Sequence, residues 1–338
     1  MRSVLFLLLL SPAFAAAPPL QTASLGDLKL ESGEVLRNCR IAYRTFGTLN
    51  AAKSNAVLFP TWFSGRSEDL AQFMAADGLV DPARYFAIAV DALGDGVSSS
   101  PSNSAEQPRM RFPKFTVRDM VTSEYRLVKE VLGISHLHAV MGISMGGMQT
   151  FQWVVSYPDF VDRAVPIVGS PRLTSTDLLL WTAEADAITE SAGWNGGNYQ
   201  KTPALRAVGD MHAFALPTPA YRARSTPPDE FPAFLKQIDG APLGLMDAND
   251  WLRQLEAMMA QDAASPYGES LARAAHAVKA KMLIVVAKQD HMVNPAPALE
   301  FAAAIGAPTI QMESDCGHLS PGCEKDTLYP RVRAFLDQ

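Results

Sequence analysis

Short apolar runs alternate with longer stretches of helical periodicity along most of this chain, the pattern of a mostly parallel sheet flanked by helices. Segments 28–30 and 35–45, joined through Ser32-Gly33, read as an N-terminal hairpin. Residues 56–59 and 85–90 are continuous apolar runs, as expected of strands buried on both faces. Thr116-Val117-Arg118-Asp119 has the spacing of a capping box, with Asp in place of Glu, and predicts a helix start. Val121, Tyr125, Val128 and Leu132 then repeat at i, i+4, i+7 and i+11, one apolar face that ends at Gly133. A strand at 137–141, a helix over 145–157 stopped by Pro158, and a strand at 164–168 continue the alternation.

The rhythm stops near residue 170 and resumes near 281. Between them lie helical stretches, the turn cluster Gly193-Trp194-Asn195-Gly196-Gly197 and a Pro-rich piece at 216–228, and no strand is predicted. Strands are expected again at 282–286 and 309–312, with a last helix running towards Leu336. The expected organisation is a core of residues 18–170 and 281–338, interrupted by a mostly helical cap, 171–280, laid over the carboxyl edge of the sheet.

Residues 1–17 stand apart from this pattern. Arg2, a short apolar run from Val4 to Leu10 and the small residues around Ala15 and Ala17 describe a secretory signal peptide. The run is far shorter than the about 20 residues a spanning helix needs. Export to the periplasm or the medium is therefore expected, with no stable membrane anchor after cleavage. Over 338 residues, 48% apolar and 19% charged content suffices for a sizeable core and excludes disordered, collagen-like and short disulfide-framework classes. With 29 Lys and Arg against 35 Asp and Glu, and no basic tract, a nucleic-acid partner is excluded.

Three cysteines remain to be read in an exported chain. No C-x-x-C or H-E-x-x-H is present, so no zinc or other metal site is expected, and no cofactor is implied. Cys316 and Cys323 are close enough in sequence for an easy disulfide that the compartment would preserve, with Cys39 left as a buried thiol in the hairpin. Three buried reduced thiols are the alternative.

Gly142-Ile143-Ser144-Met145-Gly146 falls between a predicted strand and a predicted helix, the context of a nucleophile elbow. A Ser hydroxyl needs a base to take its proton. Of the six histidines, His318 follows the last strand in a Gly-rich loop, where the base of such a fold belongs. His136, His138, His212, His276 and His291 are given structural or surface roles. Chain order then asks for an acid after the preceding strand, and Asp290 satisfies it. The oxyanion of a tetrahedral intermediate needs backbone donors. These are expected from Met145 and from the loop after 56–59, at Phe63 or, second, Trp62, whose side chains would line an apolar acyl pocket.

These segments together resemble the homoserine O-acetyltransferase family of α/β-hydrolases. The resemblance rests on Asn55-Ala56-Val57-Leu58, Phe112-Pro113, Thr116 to Val121, and above all Ser144-Met145-Gly146-Gly147-Met148-Gln149 with Trp153 and Tyr157-Pro158. Asp247-Ala248-Asn249, Asp290 and Gly317-His318 extend it. It implies an α/β-hydrolase fold with Ser144 as nucleophile, Asp290 as acid and His318 as base. Departures bear on the substrate. Leu319 stands where the family carries an Asp that receives the homoserine ammonium, and the family's carboxylate-binding Arg has only Arg206, Arg222 and Arg224 as candidates. Thr61-Trp62-Phe63-Ser64-Gly65 replaces the family's His-Ala-Leu-Thr-Gly loop, and Ile143 stands where Gly is common. The expectation is an exported serine hydrolase acting on a small-molecule acyl substrate. An O-acyltransferase is the alternative, and a non-catalytic binding protein on the same fold comes third; a homodimer is compatible with each.

Overall fold

The computed structural model describes residues 17–203, 205–239 and 246–338. The expected signal peptide, Ala17 aside, lies outside them. β1 (Gln21–Lys29) and β2 (Val35–Phe46) form the antiparallel N-terminal hairpin. β1 starts well before residue 28. Ala23, Leu25 and Leu28 turn inward, but the register shifts on both sides of Gly26, which breaks the alternation that would announce the strand.

β3 (Ala56–Pro60) and β4 (Phe86–Val90) are the buried inner strands that their apolar runs predict. α1 (Val117–Arg126) opens on a complete capping box: Thr116 Oγ1 accepts from the Asp119 amide, and Asp119 Oδ2 accepts from the Thr116 amide. The helix then widens into one π-helical turn over Leu127–Val131. β5 (Leu137–Ile143), α2 (Met145–Ser156) and β6 (Val161–Ile167) follow. The single strand expected at 282–286 is two pieces, β7 (Lys281–Met282) and β8 (Ile284–Ala287). The break marks where a second neighbour joins: Leu283 donates to Ala164 of β6, whereas Ile284 donates to Pro308 and β8 lies between β6 and β9 (Thr309–Met312).

The sheet order is β1-β2-β4-β3-β5-β6-β8-β9, with β7 on β6. Only the β1–β2 and β2–β4 pairs are antiparallel. Between β6 and β7 the described residues form α3 (Ser175–Thr189), α4 (Arg206–Ala215), α5 (Pro219–Ser225), α6 (Phe231–Asp239), α7 (Ala248–Met259) and α8 (Leu271–His276), and no strand beyond an isolated Arg172–Asp262 bridge. α3 packs on both α4 and α7 around buried Trp181, Val208 and Trp251, above the end of β5 where Ser144 sits. α9 (Ala296–Ile305), α10 (Ser320–Cys323) and α11 (Lys325–Leu336) complete the chain.

Candidate active site

Ser144 stands on the turn from β5 to α2 with φ +57° and ψ −120°. That conformation costs a non-glycine residue about 1–3 kcal/mol and holds only where the surroundings over-determine it. Here the Ser144 amide donates to Ile167 of the neighbouring strand, and its carbonyl accepts from Met148. The flanking glycines are steric necessities. A Cβ on Gly142 would lie 2.3 Å from the Gly146 backbone, and one on Gly146 would lie 2.6 Å from the Pro60 carbonyl. The turn leaves Oγ above the sheet at the amino end of α2.

His318 lies on a short turn, Gly317–Leu319, between β9 and α10. Its Nε2 is 2.8 Å from Ser144 Oγ and its Nδ1 2.7 Å from Asp290 Oδ2. The other Asp290 oxygen accepts the amides of Met292 and Val293, each at 2.9 Å. A carboxylate in this setting only accepts, so Nδ1 carries the ring N–H and Nε2 faces the hydroxyl as acceptor. Both side chains are buried. The arrangement can move a proton from the hydroxyl to the imidazole.

The His318 loop is tied to the helices above it. The His318 amide donates to Leu216 O at 2.8 Å, Thr218 Oγ1 donates to Asp315 O at 2.6 Å, and Arg224 holds both carboxylate oxygens of Asp315. That pair keeps the Asp315 carboxyl below the usual range. A disulfide joins Cys316 and Cys323 on either side of His318. Cys39 is a free thiol buried in β2, and burial pushes it up to about 12.

The loop after β3 is fixed at several points. Thr61 donates to Val90 O, its carbonyl accepts from Gln149 Nε2, and the Ser64 amide donates to Gln254 Oε1, all at 3.0 Å. Gln254 is anchored in turn on Leu93 O. Among the described residues no acceptor takes the amide of Phe63 or of Met145. Gln254 is absent from the sequence reading, because one Gln on an amphipathic helix such as α7 carries no signal of what it will reach.

A cavity of about 640 Å³ opens above Ser144 and His318, and Trp62, Phe63 and Leu319 all line it. Two aromatic groups divide it. Trp62 meets Phe73, which meets Tyr329 of α11, with centroids 6.1 and 6.2 Å apart. Phe63 turns the other way, against Trp251 at 4.5 Å, His212 at 5.7 Å and Trp181 at 6.2 Å. No Asp, Glu or Arg is among the described lining residues, and Leu319 is 41% exposed there. The candidate carboxylate binders lie elsewhere: Arg224 is engaged by Asp315, Arg222 stacks 4.0 Å over the Phe234 ring, and Arg206 is not on the wall. His212, read from the sequence as structural or surface, is on the wall. Its Nδ1 is 3.2 Å from Oε1 of the fully buried Glu184. Glu184 lies 28 positions away on another helix, and no local pattern could pair the two.

The sequence profile of the alpha/beta hydrolase fold matches residues 57–321, and the chain belongs to that family. A probable esterase of Corynebacterium glutamicum is 41% identical over 184 residues, 54% of this chain and 53% of its own length, so that alignment spans about half of the relative. An ethyl acetate hydrolase of Pseudomonas veronii is 33% identical over 285 residues, covering 80% of this chain and 81% of the relative. A homoserine O-acetyltransferase of Geotalea daltonii is 30% identical over 349 residues, covering 92% and 95%. Among solved structures, an acetylester hydrolase from Corynebacterium glutamicum matches with a TM-score of 0.88 at 31% identity, over 95% of this chain and 96% of that one. The resemblance to homoserine O-acetyltransferases holds over nearly the whole chain, and esterases stand beside them as relatives.

Proposed function

We propose that the protein hydrolyses short-chain carboxylic esters through an acyl-enzyme on Ser144. His318 Nε2 takes the hydroxyl proton as Oγ attacks the ester carbonyl, and the oxyanion forms between the Met145 and Phe63 amides. His318 then returns the proton to the departing alcohol. Water, deprotonated by the same ring, releases the acid and restores Ser144. Asp290 holds the ring in the required tautomer and stabilises the imidazolium. The cap helices over the cavity exclude bulk water from these steps, and export through the 1–17 leader belongs to the same proposal.

Both hydrolysis and acyl transfer to an alcohol begin with this half-reaction, so the acceptor decides between them. The observation that favours water is the cavity wall. Homoserine brings an ammonium and a carboxylate, yet the described lining offers Leu319 at the position of the family's Asp and no Arg. An ammonium desolvated beside Leu319 without a partner costs several kcal/mol. The ethyl acetate hydrolase and acetylester hydrolase among the relatives support a small acyl group.

The test is turnover of short-chain esters by the purified protein, with and without homoserine and acetyl-CoA. Ester hydrolysis with no O-acetylhomoserine formed is the expected result. Efficient acetylation of homoserine would replace this reading with the acyltransferase one.

A further inference from the structure

At the Phe63 end of the cavity His212 stands inside the aromatic group, its ring between Phe63, Trp181 and Trp251. Its orientation is set from behind. Glu184 on α3 is fully buried, and its two oxygens meet His212 Nδ1 and Trp251 Nε1, each at 3.2 Å. A buried carboxylate is costly to keep, and an apolar residue would fill the same space without that cost. What Glu184 adds is a fixed ring: Nδ1 is committed to the carboxylate. Nε2 has no partner among the described residues and remains for a ligand in the cavity.

We infer that His212, held by Glu184, is a specificity-determining residue that hydrogen-bonds a hydroxyl group of the ester, in the substrate class of the reading above. A hydroxyl suits this nitrogen because it both donates and accepts, and so pairs with Nε2 whether or not the ring carries a second proton. A carboxylate is less suited. The one Lys on the described wall, Lys325, sits on α11, the helix whose Tyr329 meets Phe73. A site built to bond a hydroxyl discriminates against the substrate lacking it, because its own polar group is then left unpaired. The hydroxyl can belong to the acyl chain or to the alcohol.

Matched esters separate these two sources. Ethyl 3-hydroxybutyrate against ethyl butyrate tests the acyl side, and glycerol monoacetate against propyl acetate tests the alcohol side. In the wild-type protein one pair is expected to show at least about a tenfold preference in kcat/KM for the hydroxylated member. His212→Phe keeps a ring in the aromatic group and should reduce that preference to near unity, with the deoxy ester much less affected. Since His212→Phe leaves one oxygen of the buried Glu184 without its partner, the double variant His212→Phe with Glu184→Gln repeats the test while keeping an acceptor for Trp251. Loss of the preference in either variant supports the assignment. No preference in either pair, or a preference that survives both variants, overturns it while the hydrolase reading stands. Turnover of none of the four esters overturns both.

Discussion

Ser144 carries a strained backbone, and the strain is what presents Oγ to His318 and, under the proposed reading, to the ester carbon. Ser144→Ala and His318→Ala should each reduce ester turnover by roughly 10⁶, and the double variant should be no worse, because nucleophile and base act as one unit. Asp290→Asn should be milder, since Asp290 orients and stabilises the ring without touching the carbonyl. Single-turnover kinetics with a chromogenic ester measures all four; substantial acylation in Ser144→Ala would remove the mechanism. At this scale much of the site was legible. Ser144, Asp290 and His318 follow from chain order and from the strand or loop each one ends, and the structure puts His318 2.8 Å from Ser144 and 2.7 Å from Asp290. His212 and Gln254 were not legible, because their roles come from partners on elements that no local periodicity brings together.

At the scale of elements, the loop that carries His318 has no ladder of its own and borrows rigidity from three sources. These are the hydrogen bond from the His318 amide to Leu216 O, the Arg224–Asp315 pair and the Cys316–Cys323 disulfide. Gly317 leaves room for the first of them. It sits at φ +62°, and a Cβ there would stand 2.8 Å from Leu216 O and 3.1 Å from Thr218 N. Gly317→Ala should push the 216–218 strap away and misplace the imidazole, lowering kcat by up to about 10²-fold with a smaller change in KM. An unchanged kcat would show that the strap does not position the base. The disulfide closes so short a loop that the chain-entropy model gives on the order of 2.5 kcal/mol. Reduction should therefore lower the melting temperature or the activity and leave the sheet folded by circular dichroism. Thiol titration of the unreduced native protein should stay silent until denaturation exposes Cys39. A titratable thiol in the folded state would contradict its burial.

At the scale of the molecule, several acids are buried deep in the fold, and their titration shapes its stability. Glu124 on α1 is fully buried, its contact with solvent replaced by the indole N–H of Trp153, and burial raises its carboxyl from 4.5 to about 8. Asp250 on α7, bonded to Ser102, is raised to about 7 for the same reason. In both cases the folded state holds the proton more tightly than the unfolded chain. Below about pH 4 the two states are protonated alike and nothing is lost; as pH rises towards the folded values the unfolded chain releases protons first, and stability falls. The melting temperature should thus decline between pH 5 and 8. Glu124→Gln keeps an acceptor for Trp153 and cannot ionise, so it should gain stability over the wild type at pH 8 and little at pH 5. Parallel pH profiles for the two proteins would show the assignment to be wrong.

Across the whole chain, the sequence by itself determined the alternating strands and helices, the elbow glycines, the capping box at Thr116 and the order in which Ser144, Asp290 and His318 arrive. All of these depend on neighbours a few positions apart, or on the two periods of 2 and 3.6 residues that set which side chains face inward. Tertiary structure alone decided the rest: the register shifts at Gly26, the split of the strand at Leu283, the strap that fixes His318, and the division of the cavity between Trp62 and Phe63. Two consecutive residues send their rings into opposite groups there because their partners come from elements far apart in the chain, Trp181 of α3 and His212 of α4 on one side and Phe73 with Tyr329 of α11 on the other. Which side chains meet in that space depends on the packing of distant elements, and distance along the chain carries no trace of it.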